Sequence, residues 1–253
     1  MTPTAPADHR VLVPVDVLGG QTVPASLVDA FASVPVVLLG YREIPDQTAP
    51  GQARAAFAAR ASAELAELRA VFEQVGATVE TRLAFTHDRF ETIERAAVRT
   101  DCDAVLLPNP APVLERVLVA IRGNVNVDHV ARLVAAVVAD TTLSVTLFHV
   151  APAESDRRAG ERPLETSSSS ILERAGVDRD RIERRVVVGD DPTAAILEAA
   201  VDHDLLVAGE SRPSVRRLLF RDRAGRLARR TVDPVLVIRG EYLEPDADDG
   251  SAG

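Results

Sequence analysis

The sequence predicts an α/β protein with parallel, doubly wound sheets, built as two modules in tandem of which the first is cut short. Three observations carry this. Short apolar runs alternate with amphipathic or alanine-rich helical stretches, the sequence form of parallel strands joined by crossover helices. The pattern begins again near residue 115, and the second pass is longer than the first by a helix and a strand.

In order, residues 1–9 are a short polar leader, and Arg10 to Asp16 is a continuous apolar run ending in a carboxylate, as a strand buried on both faces requires. Gly19-Gly20 turns the chain into a short helix over 23–32, followed by a strand over 34–40. From Gln52 to Gln74, Phe57, Ala61, Leu65, Leu68 and Phe72 recur at three- and four-residue steps in an alanine-rich helix that Gly76 stops. A strand over 78–85, a helix over 89–99 and a strand over 103–107 complete the first module. The second repeats the order. It has a strand over 115–123, a helix over 127–139, a strand over 143–150, and a polar loop over 154–166 leading to a short helix that ends near Gly176. A strand over 185–188, a helix over 193–201, and strands over 204–208 and 234–239 follow.

The halves register residue by residue. Val11-Leu12-Val13 matches Val117-Leu118-Val119, Gly76 matches Gly176, Ala96-Ala97-Val98 matches Ala199-Ala200-Val201, and Asp103 to Pro108 matches Asp204 to Gly209. This reads as an internal duplication with modules over 1–113 and 114–240, and an acidic, disordered tail over 241–253. Without its last helix and strand, the first module ends on an edge strand with unpaired backbone groups, so a cover is expected: the last strand of the second module, or a second copy of the chain.

Composition narrows the function classes. A hydrophobic fraction of 46% over 253 residues supplies buried cores, and a net charge of −9 argues against general nucleic-acid binding. The chain has no lysine, which fits either a GC-rich genome or a high-salt cytoplasm in which acidic surfaces aid solubility. Apolar runs fall well short of the ~18 residues of a membrane span, so a soluble cytoplasmic protein without membrane insertion is expected. The single cysteine, Cys102, opens a strand and reads as a buried structural thiol.

The most informative stretch is 206–240: an apolar strand ending at Gly209, Glu210-Ser211-Arg212-Pro213, an arginine-rich segment to Arg230, and a closing apolar strand. That layout places an anion at the carboxyl end of a sheet. Together with the opening strand ending in Asp16, the strand Val145 to Val150, and Gly189-Asp190-Asp191-Pro192 before an alanine-rich helix, it resembles the universal stress protein family across nearly the whole chain. The resemblance implies Rossmann-like modules of the adenine nucleotide alpha hydrolase type. It also implies a Gly-x2-Gly-x9-Gly-Ser/Thr signature in members that bind ATP, because glycines let backbone N–H groups wrap phosphates.

Here the signature fails. Counting from Gly209 puts Arg212 at the second glycine and Asp222-Arg223 at the Gly-Ser pair, while counting back from Pro234 puts Arg221-Asp222 there. The aspartate that in the family helps hold adenosine is Asp16 in the first half and Arg122 in the second. Asp16, Gly189, Gly209, Ser211 and Arg212 are therefore the remnants of a degenerate nucleotide site, and no cofactor is expected.

The arginines between Arg212 and Arg230 read as a solvated helix face, a partner-docking patch or an anion clamp. The five histidines are scattered with no i, i+4 pair, so the spacing predicts no metal site; His149 reads as a packed strand residue. Ser167 to Ser170 read as a polar helix start or a phosphorylation site, and Asp190-Asp191 as an N-cap or a magnesium site. No catalytic constellation appears. The expected function is a non-catalytic, stress-associated regulatory protein that no longer binds ATP and contacts a protein partner such as a transporter or regulator, with homodimerisation through the sheet edge as one arrangement. The alternative is a nucleotide- or anion-binding switch that uses arginines near Arg212.

Overall fold

The computed structural model describes residues 9–110, 113–121, 127–209 and 234–239. The first half comprises β1 (Val11–Asp16), α1 (Ala25–Ala30), β2 (Val36–Glu43), α2 (Pro50–Gln74), β3 (Val79–Thr86), α3 (Arg89–Arg99) and β4 (Ala104–Leu107). The second comprises β5 (Arg116–Ala120), α4 (Val127–Val138), β6 (Ser144–Ala151), α5 (Arg157–Pro163), α6 (Ser170–Arg174), β7 (Ile182–Val188), α7 (Pro192–Ala200), β8 (Leu205–Gly209) and β9 (Val235–Ile238).

These strands form not two parallel sheets but one nine-stranded sheet in the order β3-β2-β1-β4-β9-β8-β5-β6-β7. Within each half the pairings are parallel. The join is antiparallel: β9 lies against β4, from Ala104 opposite Ile238 to Leu107 opposite Val235. The outer edge of β4 is therefore covered by β9, the last strand of the second half. The physical reason is the one the sequence supplies: unpaired N–H and C=O groups on a strand buried on both faces have no access to water and must find backbone partners.

Alternation along the strands splits the core in two layers. Val11, Val13 and Val15 face one layer, together with Leu106 of β4, Leu236 and Ile238 of β9 and Val117 and Val119 of β5, so one core crosses the join. On the opposite face Leu12, Val37 and Leu39 pack on α3 through Ile93 and Ala97. Their counterparts Leu118, Ala120 and Phe148 pack on α7 through Ile196, Ala199 and Ala200. In α2 the buried residues are Ala53, Ala61, Leu65 and Phe72, whereas Phe57 is 49% exposed although it lies on the same stripe.

The paired glycine stops are confirmed in detail. Gly76 and Gly176 adopt φ of +93° and +94°, which a glycine reaches without Cβ strain. Each closes the same pair of bonds: Gly76 N–H to Glu73 O and Ala77 N–H to Phe72 O, then Gly176 N–H to Glu173 O and Val177 N–H to Leu172 O.

The segment over 154–166 is not a loop. A 3-10 turn at 154–156, α5, a π-helical turn at 164–169 and α6 make 154–174 helical almost throughout. Arg157 pairs with Glu154 and Glu161 on the outer side, while Leu164 and Leu172 are buried on the inner. The widened turn follows Pro163, which has no N–H to continue the ladder. Ser168 and Ser169 are consequently buried at 0% and 2% exposure within the helical run and do not begin it, which leaves neither accessible to a kinase.

Candidate functional site

In open α/β sheets ligands sit beyond the carboxyl ends of the strands, where the strand order reverses. Asp16 ends β1, Gly209 ends β8, and Gly189 follows β7. Because the join is antiparallel, the carboxyl ends of β1–β4 and of β5–β9 point to opposite ends of the sheet's strands. Asp16 is thus separated from Gly189 and Gly209, and the three do not form one site. Ser211, Arg212, Arg122, the arginine-rich segment and the acidic tail lie outside the described residues.

In the first half β1 pairs with β4 only at Val11–Ala104 and Leu12–Val105, so the two strands part beyond Leu12 and leave a crevice. Gln21 spans it. Its Oε1 accepts the Asp16 N–H at 2.8 Å, and its Nε2 donates to Pro108 O at 3.2 Å. The two partners fix the orientation of the amide, since one can only donate and the other only accept. The Asp16 carboxylate meets Arg42 Nη1 at 3.4 Å, and the Leu18 N–H donates to Glu64 Oε2 at 2.7 Å. A Cβ on Gly19 would lie 2.7 Å from the Asp16 carboxylate, so glycine permits this close turn. Beside it, burial pushes the Tyr41 phenol above its ordinary value, and the Asp16 charge adds to this against the lowering effect of Arg89.

The carboxyl ends of β5–β9 carry the second half's features. A Cβ on Gly209 would meet Val130 Cγ2 at 3.2 Å, so α4 passes tightly over the end of β8. At Gly189 a Cβ would make only ordinary contact with Val150, and no backbone need for glycine is evident there. A cavity of about 490 Å³ opens between the start of α4 and α5, lined by Asp128, Arg162, Thr166 and Ser167 among others. His149 is held at 2.9 Å from Ile121 O, and Gly160 packs on its ring, as expected for a packed strand residue. Asp191 caps α7, accepting the Thr193 and Ala194 N–H groups at 3.1 Å, with Pro192 at the first helical position.

The sequence profile of the universal stress protein family matches residues 114–239, which hold this second sheet half with its 7-6-5-8-9 strand order. The second half of the chain belongs to the universal stress protein family. Among solved structures it is similar to a universal stress protein from Archaeoglobus fulgidus DSM 4304, at 17% identity and a TM-score of 0.63 over 92% of this chain and 96% of that one. It is also similar to a functionally unknown protein from Pseudomonas aeruginosa PAO1, at 17% identity and a TM-score of 0.51 over 92% of each. A universal stress protein in complex with cAMP matches 52% of this chain and 99% of its own, at 23% identity and a TM-score of 0.40. A search of curated proteins gave no match. Among the described residues no helix is long and apolar enough to cross a membrane.

One grouping escapes the sequence spacing altogether. His9, before β1, and His129, in the first turn of α4, both approach Asp103, before β4. The carboxylate lies 3.9 Å from His9 Nδ1 and 3.8 Å from His129 Nε2. Burial pushes the Asp103 carboxyl up, but His9, the Arg10 N–H and the charge of His129 outweigh it and hold it below the usual carboxylate value. Asp103 also ties β4 to β1, its Oδ2 accepting the Arg10 N–H at 2.8 Å. Asp204 repeats that tie in the second half, accepting the Glu115 and Arg116 N–H groups at 2.9 and 2.8 Å. The register of the halves makes the shared role of the two aspartates legible; the convergence of the histidines depends on the antiparallel join, which no local pattern encodes. Next to Asp103, Cys102 is buried, its Sγ 3.2 Å from Thr100 Oγ1, and burial pushes the thiol up, as a structural cysteine requires.

Proposed function

We infer that this protein is a non-catalytic regulatory member of the universal stress protein family that acts through contacts with other proteins and does not bind ATP. The observation that carries the reading is Gln21 in the β1–β4 crevice: it occupies both backbone groups that a ligand at this switch point would address. Asp16, the residue that the family uses toward adenosine, is already engaged by Arg42. A nucleotide entering here would have to displace the Gln21 amide from the Asp16 N–H and Pro108 O, and Arg42 from the Asp16 carboxylate, before making contacts of its own, and each hydrogen bond given up offsets about 0.5–1.5 kcal/mol of what it gains. In the second half the reading rests on sequence: Arg122 stands where the family's aspartate would, and the glycine signature after Gly209 is lost.

Titration calorimetry with MgATP, AMP and a cyclic dinucleotide tests this, and no saturable heat is expected with any of them. Saturable binding of MgATP overturns it. Binding of any of the three that weakens in Arg212→Ala identifies the protein instead as an anion-responsive switch.

A further inference from the structure

We propose that His9, Asp103 and His129 bind one divalent transition-metal ion of the zinc class, which staples the first half of the sheet to the second. The three donor atoms lie within 4.8 Å of one another, and the two imidazole rings meet edge to face with centroids 5.3 Å apart. Neither histidine reaches the carboxylate closely enough for a hydrogen bond, which needs about 2.7–3.2 Å. His9 Nδ1 is sealed from solvent and has no hydrogen-bond partner. A buried nitrogen with an unused lone pair, facing a carboxylate and a second imidazole, is a donor set in want of a cation.

Two imidazole nitrogens and one carboxylate oxygen suit zinc and its neighbours rather than magnesium or calcium, which prefer oxygen. With bonds of about 2.0–2.2 Å, ligand atoms on one ion stand roughly 3.3 Å apart, so the donors need to close by about an ångström, within reach of side-chain rotation. One coordination position remains for water.

The supporting shell is in place. The Arg10 N–H fixes Asp103 Oδ2 at 2.8 Å, the Asp103 N–H donates to Arg10 O at 2.8 Å, and the Arg239 N–H donates to Asp103 O at 2.7 Å. The guanidinium groups of Arg10 and Arg239 are engaged elsewhere: Arg10 with Glu80 and Thr100 O, Arg239 with Cys102 O and Ala97 O.

Asp204 supplies the control. It performs the same strand-tying role as Asp103, so that role alone accounts for a conserved geometry of the two carboxylates within the molecule but not for the histidine pair at one of them. The ligands come from ahead of β1, ahead of β4 and from α4, so a bound ion ties elements of both halves together beside the antiparallel join.

The test uses the untagged full chain, stripped with a chelator and then titrated with zinc chloride against a chromogenic competitor. Cobalt chloride provides a second, spectroscopic readout. One zinc per chain is expected, with a rise in Tm and a visible cobalt band. His9→Ala, His129→Ala and Asp103→Asn should each weaken zinc binding at least about tenfold. His9→Gln, which keeps the side-chain bulk, should do the same if His9→Ala proves poorly folded. Asp204→Asn and His203→Ala should leave the affinity unchanged. Absence of stoichiometric zinc uptake by the wild type, or equal weakening in His203→Ala and His129→Ala, overturns the proposal.

Discussion

Replacing Leu236 by alanine probes the joint on which the whole sheet depends. Leu236 is fully buried in β9, opposite Leu106 of β4 on one side and Val207 of β8 on the other. Leucine-to-alanine changes in cores cost about 2–5 kcal/mol, depending on how far the site collapses. Here both neighbours are strands held in register by backbone ladders, so collapse is limited and a loss of about 3–4 kcal/mol is expected. Val188→Ala is the matched control: Val188 ends the outer strand β7 and is 42% exposed, so its loss should stay within about 1 kcal/mol. Urea unfolding followed by far-UV circular dichroism gives both values from the shift in midpoint at constant slope. If Leu236→Ala costs no more than Val188→Ala, then β9 does not join the halves as described and the continuous core is wrong.

Further expectations follow from single contacts. Arg239→Ala removes the guanidinium bonds to Cys102 O at 2.7 Å and Ala97 O at 3.3 Å, and a loss of about 1–3 kcal/mol should appear in thermal unfolding. Asp191→Ala uncaps α7 and should cost about 0.5–2 kcal/mol in the same assay. Cys102 should resist a thiol reagent in the native state and react once urea unfolds the chain, whereas fast native modification would contradict its burial. Tyr41 should form phenolate only above the ordinary value of 10.0, read as ultraviolet absorbance lost in Tyr41→Phe. Since the folded state keeps that proton longer, the stability linked to Tyr41 is complete below pH 10.0 and declines as pH rises from there through the raised folded value.

Much of this was legible in the sequence because the relevant physics is local. Doubly buried strands read as apolar runs, Gly76 and Gly176 mark two identical helix ends, and Asp191-Pro192 spells a helix start. Even the cover on β4 could be anticipated, since a buried strand with an unpaired edge must be covered by something. The helical run over 154–174 was not legible: its outer face is polar, and its buried residues Leu164, Ser168, Ser169 and Leu172 are set by contacts with the rest of the fold. Gln21 was likewise silent, because nothing in a glutamine five residues past a strand announces that its amide will bridge to Pro108. The histidine–aspartate cluster draws on three distant points of the chain and exists only because one half runs antiparallel to the other.

Native mass spectrometry of the full chain, purified without added nucleotide and sprayed again after addition of MgATP, tests the central claim most directly. A closed β1–β4 crevice predicts no nucleotide-sized adduct in either spectrum, with MgATP present at about 1 mM. A one-to-one ATP adduct that survives collisional activation and appears in both spectra would contradict it.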